Sequence, residues 1–307
     1  VSDRVAYSLF DVEAARAGLT HPEGLWQEIR REVVADEAIG YERVSRFTDI
    51  TRGEFDAARR RARENPAIAY REPVNHLTKI LAAADTYQGI TLRLLSTGQP
   101  DLLAVYYQGI DEVSHRFAHY MAPKMSFVSD EDFGRYRRTV EEYYAHQDEL
   151  LGQLLASVSP DSTIIVMSDH GFANGTARPT DGPADIEGKP GKWHRLYGIV
   201  MVAGAGITPA QLDTATLYDI APTVLALAGL PGASDMKGAP LVATPGGGNP
   251  EPIATYESSA ARNRPHHAEA AAEAADEIDE ELLRNLESLG YIGGGSSSES
   301  AAPPQDL

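Results

Sequence analysis

The sequence predicts an α/β fold, with a sheet covered on both faces by helices, and three observations lead to this prediction. Segments with apolar side chains at helical spacing alternate with short runs that are apolar throughout. Those runs have the length of strands, and proline or glycine separates several of them from the helices. Because a strand buried on both faces is apolar at every position, the alternation is typical of a three-layer α/β/α sandwich.

Residues 1–72 are charged and favour helix, with breaks at Pro22, Gly40 and Pro66. We expect them to form a helical cap or insertion that packs on the main domain. The α/β core is predicted over residues 73–243. Its predicted helices run from Pro73 to Gly98, from Asp132 to Ser157 and from Asp219 to Ala228. Its predicted strands are Leu102 to Tyr107, Thr163 to Met167 and Ile199 to Ala203.

The composition of the sequence changes after residue 243, where the predicted core ends. Residues 244–265 begin with a stretch rich in proline and glycine, which indicates a linker. Residues 266–290 are rich in Ala and Glu and predict a C-terminal helix with one apolar face, able to dock on the domain or to join two copies in a homo-oligomer. The Ser- and Gly-rich residues 291–307 predict a disordered tail.

Composition excludes several classes of protein. The formal net charge of −18 argues against a nucleic-acid-binding surface, since phosphate backbones are bound by clustered Lys and Arg. No apolar run approaches the ~18 residues of a transmembrane helix. The absence of cysteine excludes disulfides, thiolate ligands and a Cys nucleophile. The chain opens with Val1, so a signal peptide could have preceded it, and the sequence assigns no compartment.

Carboxylates and imidazoles follow the predicted strands, where ligands of such sheets bind. Asp111 and His115 stand four residues apart at a predicted helix start, which places both on one helical face. Taken alone, an Asp there is more often an N-cap. Asp169 and His170 follow a run of four apolar residues and Ser168, and Gly171 permits a tight turn after them.

His194 precedes the last predicted strand. It becomes a candidate ligand only because the four residues named above are present as well. The five residues offer oxygen and nitrogen donors, which suit zinc, manganese or iron, and zinc is favoured where imidazole is plentiful. We expect three of these side chains to bind one metal ion and the other two to bind a second.

Together these motifs resemble the type I phosphodiesterase and nucleotide pyrophosphatase group of the alkaline phosphatase superfamily. The resemblance spans about Leu102 to Leu241 and includes Leu217–Thr223 and Asp235–Gly238, which are similar to that group's later helix and closing loop. It implies an alkaline-phosphatase-like α/β fold, two zinc ions and a small phosphorylated substrate. It also implies one metal site from Asp111, His115 and His194 and a second from Asp169 and His170.

The sequence departs from that group's pattern at its beginning. The group has an N-terminal strand with one more Asp ligand, followed by a Thr or Ser nucleophile. Ser2-Asp3 has no preceding strand, and Thr48, Thr51 and Thr91 lack the expected context. We therefore expect a C-terminal fragment whose nucleophile lies upstream of Val1, and an isolated chain that is nearly inactive.

Three functions stay open at this point. The first is hydrolysis of phosphodiester or nucleotide pyrophosphate bonds. The second is the chemistry of a phosphomonoesterase, sulfatase or phosphosugar mutase of the same superfamily, because the same ligands serve each of them. The third is a non-catalytic metal-binding module, if the native protein starts at Val1.

Overall fold

The computed structural model describes residues 20–22, 24–65, 68–184, 190–212, 214–243 and 250–257. The predicted C-terminal helix (266–290), the tail (291–307) and most of the linker (244–265) lie outside these residues. The boundary expected at residue 72 between cap and core stays a prediction.

The N-terminal part of the described chain is helical, as its composition indicated. Two short 3-10 turns lie between helices α1 (Leu25–Ile29) and α2 (Tyr41–Val44), and a stretch without 3-10 helix leads from α2 to α3 (Arg52–Glu64). Helix α3 starts with a capping box, in which the Thr51 side chain accepts from the backbone N–H of Glu54 and Glu54 accepts in return. This reciprocal cap satisfies two backbone donors that a helix start leaves open.

Helix α4 (Pro73–Thr97) confirms the long helix predicted after Pro73 and forms the centre of the molecule. Pro73 occupies its first turn, where a missing N–H costs nothing, and the Glu72 side chain accepts from the backbone N–H of Asn75. Its apolar residues Leu77, Ile80 and Leu81 are almost fully buried in the main hydrophobic core. The helix therefore anchors the elements that carry the polar site.

Helices α5 (Gly109–Phe117) and α7 (Thr139–Ser157) pack against α4, whereas α6 (Asp130–Tyr136) packs against the 3-10 turn Ala118–Tyr120 that follows α5. The single helix predicted from Asp132 to Ser157 is therefore wrong, because a break separates α6 from α7. The carbonyl of Arg135 accepts from the backbone N–H of Asp49 instead of continuing the helix. The guanidinium of Arg138 meanwhile donates to backbone carbonyls of the N-terminal region. Contacts distant in sequence thus interrupt a locally helical pattern.

Four short strands form two antiparallel pairs among the described residues. Strand β1 (Ile164–Met167) pairs with β4 (Val200–Ala203), which confirms two of the predicted strands. Strand β2 (Gly171–Phe172) pairs with β3 (His194–Arg195). Helix α8 (Ile220–Leu227) confirms the last predicted helix. Gly229, two residues beyond its end, takes a positive φ of 67°.

The strand predicted from Leu102 to Tyr107 is wrong, since this segment has no regular secondary structure. A strand is defined by hydrogen bonds to a neighbour, and within the described ranges no other strand lies beside these residues. The mixed helix and strand content agrees with an alkaline-phosphatase-like α/β fold, whereas the three-layer sandwich stays a prediction. None of the described helices has both the length and the apolar character that a membrane span requires.

Candidate metal centre

Helix α5 places the first two predicted ligands side by side. The helix begins at Gly109, so Asp111 lies in its first turn and His115 one turn later. As the spacing predicted, they share one face, with Asp111 Oδ1 3.4 Å from His115 Nε2. Gly109 is needed here because a Cβ at this position would collide with the buried hydroxyl of Tyr143.

A backbone carbonyl orients His115 for ligation. Its Nδ1–H donates to the carbonyl oxygen of Ala184 at 2.9 Å, which leaves a lone pair on Nε2 in the neutral ring. The Phe172 ring packs edge-on against the imidazole, with centroids 5.0 Å apart. Because only 4% of the His115 side chain is exposed, both contacts hold the ring in place. This is the arrangement typical of a metal-binding histidine.

The Asp169–His170 pair follows the end of β1 after one residue, Ser168, as the sequence predicted. The Nδ1–H of His170 donates to the carbonyl of Gly171 at 3.0 Å, so its Nε2 also carries the lone pair. That Nε2 lies 3.7 Å from Asp111 Oδ1 and 3.9 Å from Asp169 Oδ1. The Asp169 side chain is 57% exposed, which makes it the outermost of the five candidate residues.

The β2–β3 pairing brings His194 to the same point. Phe172, two residues after His170 in the chain, pairs with His194 across the two strands. The imidazoles of His170 and His194 stack with centroids 4.0 Å apart. His194 Nε2 lies 2.7 Å from His115 Nε2 and 3.8 Å from Asp111 Oδ1. Three of the five predicted residues, the histidines, therefore surround the carboxylate of a fourth, Asp111, and Asp169 lies at the edge of the group.

Burial shapes the protonation of this cluster. Burial raises the pKa of Asp111 to about 7, and the neighbouring His170 opposes this effect. Burial also lowers the pKa of His115 and of His194 to about 4. At neutral pH the two imidazoles are thus neutral and available as ligands. Both carboxylate oxygens of Asp111 are buried without a hydrogen-bond partner, so a cation between the carboxylate and the imidazoles would satisfy them.

The donor set fits a divalent metal ion. One donor atom each from Asp111, His170 and His194 lies within 4.8 Å of the other two. Carboxylate oxygen and imidazole nitrogen are ligands that zinc accepts. These three atoms come from both of the predicted ligand sets, so the division of the five residues into two sites stays a prediction.

Sequence reasoning missed three residues that contribute to this centre. The carbonyl of Ala184 orients His115, and nothing in the sequence around it signals that role. The buried Oε1 of Gln108 has no hydrogen-bond partner and lies just before α5. Tyr144 lines the same cavity as Asp111, and burial, together with the Asp111 charge, raises its pKa. Of the three, only Gln108 was detectable in the sequence, because it is a polar residue between the apolar run Leu102 to Tyr107 and the first ligand, Asp111.

A cavity of about 810 Å³ opens beside the centre. Asp111, Asp169 and His170 line part of it, while most of its wall is apolar. Its volume falls in the range of small-molecule pockets, so a substrate could reach the metal ligands from this side.

Comparison with known proteins bears on the same residues. The model of the family described as type I phosphodiesterase / nucleotide pyrophosphatase matches residues 9–219. A 2,3-bisphosphoglycerate-independent phosphoglycerate mutase from Desulforudis audaxviator (strain MP104C) is 32% identical over 97 residues, which are 31% of this chain and 18% of that protein. The match thus spans less than a fifth of that relative's length, and no solved structure matches significantly. Since the family model covers more than half of the sequence and includes all five candidate ligands, this chain belongs to the type I phosphodiesterase and nucleotide pyrophosphatase family.

Proposed function

We propose that this chain provides the metal-binding part of an enzyme that hydrolyses phosphodiester or nucleotide pyrophosphate bonds. The observation that carries the proposal is the buried carboxylate of Asp111, whose two oxygens have no hydrogen-bond partner and whose Oδ1 lies 3.4, 3.7 and 3.8 Å from the Nε2 atoms of three histidines. Membership of the family supports the class of reaction. The adjoining cavity supports a small phosphorylated substrate.

In this proposal Asp111, His115 and His194 hold one divalent ion and Asp169 and His170 hold a second, with zinc favoured. When bound, such ions stabilise the charge of the attacking and leaving oxygens in an in-line displacement. Ala184 and Gly171 fix the tautomers of His115 and His170, so that each presents an unprotonated Nε2.

The nucleophile is proposed to come from polypeptide that precedes Val1, as a Thr or Ser. Its hydroxyl would attack phosphorus and form a phosphoryl-enzyme, which water then hydrolyses. Three serines line the cavity, Ser114, Ser162 and Ser168, and the two that lie closest in sequence to metal ligands are engaged elsewhere. Ser114 donates to the carbonyl of Ile110 in its own helix, and the Ser168 hydroxyl accepts from the backbone N–H of Ile199. In these contacts neither hydroxyl is paired with a base that would activate it as a nucleophile.

A second candidate is transfer or hydrolysis of a phosphomonoester. The observation in its favour is the 32% identity to the phosphoglycerate mutase over 97 residues. The same ligands would serve that reaction, because substrate selection depends on other parts of such enzymes.

The test compares this 307-residue chain with the polypeptide obtained by extending the reading frame upstream of Val1. Each is assayed with zinc or manganese on bis(p-nitrophenyl) phosphate, p-nitrophenyl phosphate and p-nitrophenyl sulfate. We expect the longer polypeptide to prefer the diester, and His194→Ala to lower its kcat/KM about 100-fold or more, while the exposed His21→Ala leaves it unchanged.

Preference for the monoester would favour the second candidate. Equal diester turnover by the 307-residue chain alone would show that the proposed upstream nucleophile is not needed. If neither polypeptide turns over any of these substrates while both bind metal, the site is a non-catalytic metal-binding module.

A further inference from the structure

A second, open cavity of about 530 Å³ lies along helix α8, and we call it the α8 groove. The end of strand β1, the 3-10 turn before α8, α8 itself and the chain near residues 236 and 256 contribute to its walls. None of the described residues that line it is charged, in contrast to the cavity at the metal centre. Its lining includes Met167, Leu217, Ile220, Ala221, Val224 and Tyr256.

Helix α8 presents an apolar face to this groove. The helix has no charged residue, and its buried side is formed by Pro222, Thr223 and Ala226. Ile220 and Val224 lie on the side of the groove and are only partly buried. Because a helix that is apolar on every side is normally covered all round, the described residues leave one side of α8 incompletely covered.

The rim of the groove is also apolar and exposed. The exposed fractions are 57% for Leu217, 48% for Tyr256 and 41% for Met167. Single exposed apolar residues are ordinary, but these three come from separate parts of the chain and line one groove. A contiguous patch of this kind marks a surface that another group covers.

The chain leaves the described region at this groove. The backbone N–H of Ile253 donates to the carbonyl of Gly232 at 3.0 Å, and the hydroxyl of Tyr256 donates to the carbonyl of Pro231 at 2.7 Å. These bonds hold residues 250–257 beside the loop that follows α8. The described residues end at Glu257, directly after Tyr256, so the rest of the chain continues from the rim of the groove.

The continuing sequence contains a segment that complements the groove. It is part of the predicted C-terminal helix and lies outside the described residues. Four apolar residues in residues 278–289 are spaced by four, four and three positions, which places them on one face of a helix about 18 Å long. A helix of this length is marginal in water on its own, so its apolar face needs a partner. The four residues are Ile278, Leu282, Leu286 and Leu289.

The connection favours the chain's own segment over that of a second copy. Residues 258–277 lie between the groove and the segment, and a chain of this length spans about 25 Å on average even without regular structure. A tether of this kind gives the segment an effective concentration on the order of 1 mM at the groove. At micromolar protein concentration the intramolecular contact therefore outcompetes the same contact between two molecules.

We propose that residues 278–289 of this chain bind in the α8 groove as a helix, with their apolar face against α8. Binding covers Leu217, Tyr256 and Met167, and it completes the covering of α8. Since Met167 is two residues before Asp169, the bound segment also covers the end of the strand that leads into the metal ligands. The inference does not depend on which reaction the metal centre performs.

Hydrogen exchange of the full 307-residue chain at micromolar concentration tests both sides of the contact. In the double variant Leu282→Glu/Leu286→Glu, the amides of residues 278–289 and of α8 should exchange at least about tenfold faster than in the wild type. Helix propensity does not explain such a change, because Leu and Glu are both good helix formers. The matched variant Glu280→Gln/Glu287→Gln alters the opposite face and should exchange as the wild type does.

A second matched pair locates the groove. Ala221 and Ala156 are both exposed alanines within helices, but only Ala221 lines the groove. Ala221→Glu places a carboxylate in the path of the acidic segment, and it lies in the first turn of α8, where a negative charge suits the helix dipole. It should speed exchange in residues 278–289 about tenfold, whereas Ala156→Glu should not change it. Circular dichroism checks that both variants stay folded.

Three results would overturn the proposal. One is exchange of residues 278–289 in the wild type as fast as in an unstructured peptide. Another is slow exchange that Ala221→Glu leaves unchanged, because the segment would then bind elsewhere. The third is slow exchange that appears only at concentrations where analytical ultracentrifugation shows a dimer, because a second copy would then occupy the groove.

Discussion

The raised pKa of Asp111 predicts how the metal-free protein responds to pH. The test substitution is Asp111→Asn, which keeps the shape of the side chain and removes its titration. In the folded protein burial raises the pKa of this carboxyl from 3.8 to about 7. The folded state therefore keeps a proton that the unfolded state releases, and the free energy of unfolding falls as the pH rises from about 4 to about 7.

The size of the effect follows from the two pKa values. The difference between 3.8 and about 7 corresponds to about 4 kcal/mol, at about 1.4 kcal/mol per pH unit. Only 14% of the Asp111 side chain is exposed, so solvent screens this effect little. His115 and His194 act in the opposite direction, because burial lowers their pKa from 6.5 to about 4 and stability rises with pH over that range. The wild-type curve therefore mixes both effects, and the difference between variant and wild type isolates the carboxyl.

Urea unfolding in a chelating buffer measures that difference at several pH values. Relative to wild type, Asp111→Asn should gain about 4 kcal/mol between pH 4 and pH 8. The exposed Asp161→Asn should show no such trend. With zinc present the order reverses, because wild type gains the binding free energy and the variant has lost a ligand. A pH-independent difference for Asp111→Asn in chelator would refute the reasoning.

Three further predictions concern single positions. His194→Ala should reduce bound zinc, measured by elemental analysis after dialysis, whereas the exposed His21→Ala should not; unchanged stoichiometry would contradict the ligand role. Gly198→Ala should destabilise the fold by about 1–3 kcal/mol in urea, because its Cβ would collide with the backbone of Ser168, whereas Gly152→Ala in open space on α7 should stabilise it by about 0.5–1 kcal/mol. Arg178→Ala should cost about 3 kcal/mol, since this buried guanidinium donates to four backbone carbonyls, and a loss under 1 kcal/mol would refute that estimate.

Local sequence predicted an element correctly where the residues within that element determine its structure. Helix α4 was predictable because its apolar positions recur at helical spacing and because Pro73 and Gly98 mark its ends. The break between α6 and α7 was not, since the carbonyl of Arg135 bonds to Asp49, far away in the sequence. The predicted strand from Leu102 to Tyr107 failed for a related reason, because strand formation needs a partner that local sequence does not reveal.

In the candidate site, too, local sequence predicted some positions and not others. The spacing of Asp111 and His115 was informative because one helix sets it. The position of His194 depends on a pairing of only two residues per strand, which is too short to give a periodic signal. His194 became a candidate only because the other four residues accompany it, and the orienting carbonyl of Ala184 had no sequence signal at all.

The geometry also predicts how many metal ions this chain binds tightly. Asp111, His170 and His194 present donors that lie within 4.8 Å of one another, enough for one ion. A second ion would rely on Asp169, whose side chain is 57% exposed, and on imidazoles shared with the first ion. We therefore expect isothermal titration with zinc to show one tight site and at most a second that is about tenfold weaker or more. His194→Ala should abolish the tight site, whereas Asp169→Ala should leave it in place. Two sites of equal affinity would show that the outer donors are better organised than their exposure indicates.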